Sequence, residues 1–530
     1  MIHSSALFGI SGRRLIPFAI VIALTSWDIQ ASAPLFRPAV SYPAGGGATE
    51  SVVAADVNGD GYADLVVAIQ NDPGGADLSN GLVGVLLGRG DGTYGAPTTY
   101  DSAGMEPFSV AVGDLNGDQK ADIVIANFCT YIQGTCSRTT LGVLLGRGDG
   151  TFEPAIPIAL GGNSATSVAV ADVNNDGAAD ILVALLAVAS GGPAIEILPG
   201  NGDATFRAPV FAAVGGADVR SIVVGDMNGD GAPDIVASGD TWSAASNSTG
   251  TVNVLLGNGD GTFQPVVRYL SGALPGGWAS SVVLADVNLD GRLDVAVTNY
   301  PDSTVGVLLG TGDGGLQAVT LHDSGARFAW SLAAADFDGD GRPDLAVGNA
   351  SGALGVLLGN GDGTFQTAQT SSLRGVATGI AAADLNHDGR PDVVLTNGDN
   401  TVSVLIDGAA CDEAPPAITV AATPASLWPA TGKTATVTVS GTITRSGCGL
   451  DVITAAYAVH DEYGEVHPSG PVTLGAGGHF SFAVSLPASR RGTDFDGRQY
   501  TISVQAQTAR GHTATATTTV AVSHDRRRTQ

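Results

Sequence analysis

Positive charge is scarce in this chain: 24 Lys and Arg stand against 51 Asp and Glu among 530 residues, a formal net charge of −27. The deficit is local. Residues 34–408 hold 13 Lys/Arg against 41 Asp/Glu, a difference of −28, whereas residues 409–530 balance at 9 against 9. An acidic field of that size repels phosphate backbones and anionic headgroups, so nucleic acid is excluded as a partner and divalent cations are favoured. Charged residues of all kinds reach only 14%. Low Lys and Glu with much Gly, Val, Ala, Thr and Asp disfavours helices and favours strands and turns.

Long apolar runs are missing after the N-terminus. Residues 1–33 have the layout of a secretory signal peptide: Arg13 and Arg14, then the apolar run Leu15–Trp27, then the small residues Ala31-Ser32-Ala33. Cleavage after Ala31 or after Ala33 fits. Thirteen apolar residues are too few to cross a hydrocarbon core of about 30 Å, so no membrane span is expected after cleavage and the chain reads as secreted or cell-surface. Four cysteines suit an oxidising compartment. Cys129 with Cys136, and Cys411 with Cys448, are the candidate disulfide pairs. Catalytic signatures are missing too: there is no serine elbow, phosphate loop or zinc-spaced His/Cys cluster, and residues 34–408 contain only His322 and His387.

What is present is a repeat. An acidic motif recurs seven times, with leading aspartates Asp56, Asp114, Asp172, Asp226, Asp286, Asp336 and Asp384, spaced 58, 58, 54, 60, 50 and 48 residues apart. Each copy has a short apolar run (Ser51–Ala55), a nine-residue acidic loop, a second run (Leu65–Ile69), a variable loop and a third run (Val83–Leu87). A Gly-Asp-Gly turn and a last strand opening on an aromatic such as Tyr94 follow. Four short strands per copy, with no room for a helix, predict an all-β chain of four-stranded sheets that must pack on one another; about 50 residues per copy suits the blade of a seven-bladed β-propeller. The turn and last strand occur six times only. The segment Leu35–Val40 resembles Thr262–Val267, which predicts that the N-terminal strand completes the seventh sheet.

The loops place oxygen side chains at positions 1, 3, 5 and 9. The sets are Asp56, Asn58, Asp60, Asp64; Asp114, Asn116, Asp118, Asp122; Asp172, Asn174, Asp176, Asp180; and Asp226, Asn228, Asp230, Asp234. They continue with Asp286, Asn288, Asp290, Asp294; Asp336, Asp338, Asp340, Asp344; and Asp384, Asn386, Asp388, Asp392. Position 7 adds a carbonyl and glycine at position 6 permits the bend, which is what a Ca²⁺-sized hard cation needs. Up to seven Ca²⁺ are expected, offsetting 14 of the 22 Asp charges at these positions. The second loop departs, with Gln119 in place of glycine, and is expected to be the weakest; the sixth, with Asp338 for Asn, is the most acidic.

These loops and their flanking strands resemble the FG-GAP or VCBS repeat of integrin α-subunit propellers and of many secreted bacterial proteins. The resemblance covers residues 35–408. It implies a seven-bladed propeller with calcium in the loops, in a family that serves adhesion, sugar binding and attachment to enzymes. Arg89-Gly90-Asp91 and Arg147-Gly148-Asp149 spell the tripeptide that integrins bind. Other copies put Asn201, Asn258, Thr311 or Asn360 at the arginine position, so the tripeptide is a by-product of the turn.

If the acidic loops and Gly-Asp turns follow alternate strands, they share one rim and the variable loops share the other. Insertions fall on that second rim, at Gln70–Gly81, Asn127–Leu141, Leu185–Pro193 and Gly239–Gly250. Tyr131, Trp242, Trp278 and Trp330 are the candidate ligand-binding aromatics there. Packing between sheets is the competing role for them. Residues 409–416 read as a linker. Residues 417–530 carry Thr/Val-rich runs that predict a β-sandwich, and their Leu427–Lys433 and Val522–Asp525 segments resemble a bacterial immunoglobulin-like module. The expected function is an extracellular calcium-binding module for a glycan or protein. The alternatives are a polysaccharide-active lyase or hydrolase with its site in the propeller channel, and a surface protein without a discrete ligand.

Overall fold

The structure is a computed structural model that describes residues 35–70, 81–132, 135–161, 163–186, 195–214, 217–241, 248–408, 416–430, 432–444, 452–475, 478–489, 497–508 and 513–523. The expected signal peptide (residues 1–33), Trp242, Cys411 and Cys448 lie outside these residues, as do the side chains of Cys129, Tyr131 and Cys136.

Among the described residues the chain is all-β, with no named helix. Seven antiparallel four-stranded sheets follow one another along residues 40–405. Their first strands are Thr49–Ala55, Met105–Gly113, Asn163–Ala171, Ala217–Gly225, Trp278–Ala285, Ala329–Ala335 and Ile380–Ala383. Burial follows strand position. Second strands such as Asp64–Ile69 are buried on both faces and read as unbroken aliphatic runs; fourth strands such as Thr98–Asp101 are largely exposed. A sheet buried on both faces needs a neighbour on each side. Seven apolar cores supply this, each drawn from two adjacent sheets. Val66, Val83 and Val85 of the first sheet, for example, meet Ile123, Ile125 and Leu144 of the second.

The seventh core joins the last sheet to the first, through Leu385, Val394 and Val402 against Val52, Leu65 and Val67. Consecutive first strands touch, and Ile380–Ala383 touches Thr49–Ala55 in turn. The arrangement is propeller-like. The missing fourth strand of the seventh sheet comes from the N-terminus: Val40–Pro43 pairs antiparallel with Thr401–Leu405, Val40 opposite Val404 and Pro43 opposite Thr401. Phe36 bridges Asp407 as Tyr94 bridges Gly88 in the first sheet.

Two local expectations are revised. The aromatic after each Gly-Asp turn precedes the fourth strand instead of opening it: Tyr94 makes an isolated bridge and the strand proper is Thr98–Asp101. The expected loop over Asn127–Leu141 is largely an extended hairpin, Asp122–Ile132 with Thr135–Leu144, because alternating β-branched and aromatic residues continue the ladder.

Residues 417–522 form a second unit of two sheets. Ala417–Thr423, Thr434–Thr444 and His479–Pro487 make one; Ser426–Leu427, Thr513–Val522, Arg498–Thr508, Val452–Asp461 and Val466–Pro471 make the other. Val437, Val439 and Val484 of the first meet Ile502, Val504 and Val520 of the second in one core. Fully buried Tyr500 donates its hydroxyl proton to the Pro487 carbonyl at 2.8 Å.

Candidate functional site

Each acidic loop joins a first strand to a second and is ordered by its own carboxylates. In the first loop Asp56 Oδ1 accepts from the Gly59 amide at 2.7 Å and Oδ2 from the Gly61 amide at 2.8 Å. Asn58 Oδ1 accepts from Asp60 N–H at 2.9 Å, and Asp60 Oδ1 from Tyr62 N–H at 2.9 Å. Position 6 holds a left-handed φ, as at Gly61 (86°) and Gly341 (84°). Gln119 adopts the same conformation (φ 64°) and keeps the same bond to Asp114 Oδ2 at 2.8 Å, so the second loop has the geometry of the others despite its departure in sequence. Position 4 also has positive φ, even where Asn175, Leu289 and His387 occupy it.

The aspartate at position 9 has a second job. Asp64 is fully buried; its Oδ2 accepts from the Val57 amide at 3.0 Å and its Oδ1 from the Gly88 amide at 2.7 Å, tying the loop to the end of the third strand. Asp122, Asp180, Asp234, Asp294, Asp344 and Asp392 repeat this pair of bonds. Burial pushes the position-9 carboxyls up, Asp64 and Asp344 to about 6 and Asp392 to about 7, although the amide bonds pull the other way.

Two loops carry further features that suit a cation. In the sixth, Asp336, Asp338 and Asp340 each offer an oxygen within 4.8 Å of the others, and burial together with the like charges of Asp340 and Asp336 raises Asp338. In the seventh, Asn386 is only 4% exposed and neither its Oδ1 nor its Nδ2 has a hydrogen-bond partner. A buried amide oxygen without a donor is an acceptor with a vacancy for a cation. The burial comes from the neighbouring sheet: the Gly92 amide of the first Gly-Asp turn donates to Leu385 O at 3.1 Å, as Ala204 does to Leu115 O and Gly363 to Val287 O. Loops and turns therefore share one rim.

The opposite rim gathers aromatics. Trp278 stacks on Tyr300 at 4.7 Å between centroids; Tyr300 meets Trp330 edge-on at 5.4 Å and Phe328 at 5.5 Å. The Arg220 guanidinium lies 4.6 Å above Trp278, with Nε 3.5 Å from Asp240. Two of the three expected tryptophans, Trp278 and Trp330, are thus brought together, half-buried, each packed on Tyr300. Tyr300, Phe328 and Arg220 are additional members that a reading of loops missed, since Tyr300 and Phe328 lie at strand boundaries and Arg220 within a first strand, at its bulge.

Beside this cluster, the first strands surround a cavity of about 150 Å³. Six of the seven bear a serine five residues before the leading aspartate, such as Ser51 and Ser109, with Gly379 in the seventh. Next to it is a bulge, for instance between Thr49 and Ser51. At the bulge Thr166, Ser280 and Thr378 donate their hydroxyls to carbonyls of the next sheet, Val219, Ala329 and Thr49, at 2.7, 3.2 and 2.7 Å. The other four copies place Glu50, Phe108, Arg220 and Trp330 there. Burial, and after it the charge of Glu106, raises the Glu50 carboxyl to about 7.

Comparison with known proteins agrees with the repeat. A model of the FG-GAP-like repeat matches residues 131–183, 240–297, 286–347 and 336–395, and a model of the FG-GAP repeat matches residues 48–86. Human phosphatidylinositol-glycan-specific phospholipase D is 30% identical over 148 residues, which cover 23% of this chain and 17% of that protein. The crystal structure of BBS1N in complex with ARL6DN, soaked with lead, superposes with a TM-score of 0.45 at 13% identity, over 71% of this chain and 98% of that one.

Proposed function

Starting from FG-GAP repeats in a propeller-like ring of four-stranded sheets, we propose that this is a secreted seven-bladed β-propeller that binds calcium and serves as an extracellular binding module for a glycan or protein. An immunoglobulin-like sandwich follows it. The observation that carries the reading is the sevenfold oxygen constellation, together with the unpartnered Asn386 amide in the seventh copy. In each loop the side chains at positions 1, 3 and 5 would hold the ion. The aspartate at position 9 would use the lone pairs left over from its amide bonds. The ion's chemistry is neutralisation: it relieves carboxylates that otherwise repel across a few ångströms and fixes the loops between strands. The fully buried Tyr500 and its bond to an upstream carbonyl support the immunoglobulin-like reading of the second unit.

Ligand binding belongs on the rim opposite the loops, where the aromatic cluster lies. Metal analysis of the purified chain and a glycan array run with and without calcium test both parts. Several bound Ca²⁺ per chain and calcium-dependent capture of a glycan class are expected. No bound metal overturns the calcium reading, and an empty array in calcium leaves a protein as the partner to be sought by cross-linking at the cell surface.

A further inference from the structure

The seven bulge positions around the central cavity are equivalent by repeat, so their differences carry information. Thr166, Ser280 and Thr378 bridge to the next sheet through a hydroxyl. Glu50, Phe108, Arg220 and Trp330 give up that bond and line the same cavity; Arg220, Trp330 and Phe108 also pack on Trp278, Tyr300 and Phe128, whereas Glu50 packs on no such partner among the described residues. Glu50 in particular has no hydrogen-bond or ion-pair partner for its carboxyl among the described residues, a costly state for a half-buried acid. The Glu50 carboxyl is unsatisfied by the fold itself and points to something in the cavity that satisfies it.

The lining specifies the class. A carboxyl in the first sheet and a guanidinium in the fourth stand in opposed parts of the ring, so neither sign of ligand charge is favoured overall. Serine hydroxyls recur all around, and two aromatic side chains offer apolar faces. A cavity of about 150 Å³ holds one six-membered ring. We propose that the cavity is a binding site for a single neutral sugar residue, its ring against Trp330 and Phe108 and its hydroxyls on Glu50 and Arg220. The proposal rests on the reading of the chain as an extracellular binding module and gives that module a ligand class and a seat in the channel.

The experiment is calorimetric titration of the full calcium-loaded chain with glucose, galactose, mannose, fucose and N-acetylglucosamine, and with glycine and lysine as zwitterionic controls. One or more sugars are expected to bind. Affinity should fall at least tenfold in Trp330→Ala and in the isosteric Glu50→Gln, which leaves packing intact and keeps the test valid should the tryptophan variant misfold. No sugar binding, binding of the amino acids alone, or equal sugar affinity in Glu50→Gln overturns the proposal. A chain that still captures glycans on an array, with affinity unchanged in Glu50→Gln, overturns the channel seat while leaving the binding-module reading standing.

Discussion

At the scale of the residue, the position-9 aspartates separate what a loop needs from what an ion needs. Asp64 holds two backbone amides that have no other acceptor, one of them 24 residues away at Gly88. Charge-assisted bonds of this kind contribute about 1.5–3 kcal/mol each. Asp64→Ala is therefore expected to lower stability by about 3–5 kcal/mol in urea unfolding even in excess chelator, where no metal contributes. A loss seen only in calcium would mean that the residue acts through the ion alone. The spacing of oxygens is legible in sequence, but this double role is not, because the second amide arrives only when the third strand folds back. Likewise Gln119 reads as a defect until its backbone is seen at φ 64°, a conformation that a non-glycine residue reaches at a cost of about 1 kcal/mol.

Glu50 makes a pH-dependent prediction at the same scale. Its folded-state pKa, about 7, lies above the ordinary 4.5, with burial and Glu106 as causes and Arg220 the cation across the cavity. Below pH 4.5 the carboxyl is protonated folded or unfolded and contributes nothing. Between 4.5 and 7 only the folded chain holds the proton, so stability falls as pH rises. Above 7 the penalty is complete. Urea midpoints for the wild type and Glu50→Gln should coincide near pH 4.5 and diverge up to pH 7, the variant gaining on the order of 2–3 kcal/mol at most. A constant offset across that range would remove Glu50 from the account.

At the scale of the element, the closing strand tests the ring. Val40–Pro43 supplies the fourth strand of the seventh sheet, and Phe36 packs edge-on against Phe337 at 5.7 Å. Without residues 35–43 the strand Thr401–Leu405 becomes an exposed edge, and exposed edges pair with other chains. The deletion is expected to give a lower, broader thermal transition and concentration-dependent association in sedimentation. A monomer with unchanged melting would show that the seam is held elsewhere. This strand was readable from one short internal match, since turn chemistry repeats faithfully. The channel ring was harder to read. The serine five residues before each leading aspartate is plain once the copies are aligned, but it sits beside a bulge, where two residues oppose one and strict alternation no longer tells inward from outward.

At the scale of the whole molecule, charge and fold have to be reconciled. Self-repulsion in a chain of net charge −27 opposes compaction, and most of that charge lies in seven loops on one rim. Arginine and lysine relieve a few of them: Lys120 pairs with Asp118 at 3.2 Å and Arg342 with Asp340 at 3.2 Å, exposed contacts worth little. Ions bound in the loops would do far more. An extracellular site with Kd near 10⁻⁴ M contributes about 1.4 kcal/mol at millimolar calcium, and several together approach the 5–15 kcal/mol that separates folded from unfolded domains. Calorimetry should therefore show the transition of residues 35–408 rising steeply with calcium and falling in excess chelator, while that of residues 417–523 stays in place. Sodium chloride at matched ionic strength should restore only part of the loss, because screening weakens repulsion without supplying ligand bonds. Full restoration by sodium would reduce the loops to a charge problem and take the ion out of the fold.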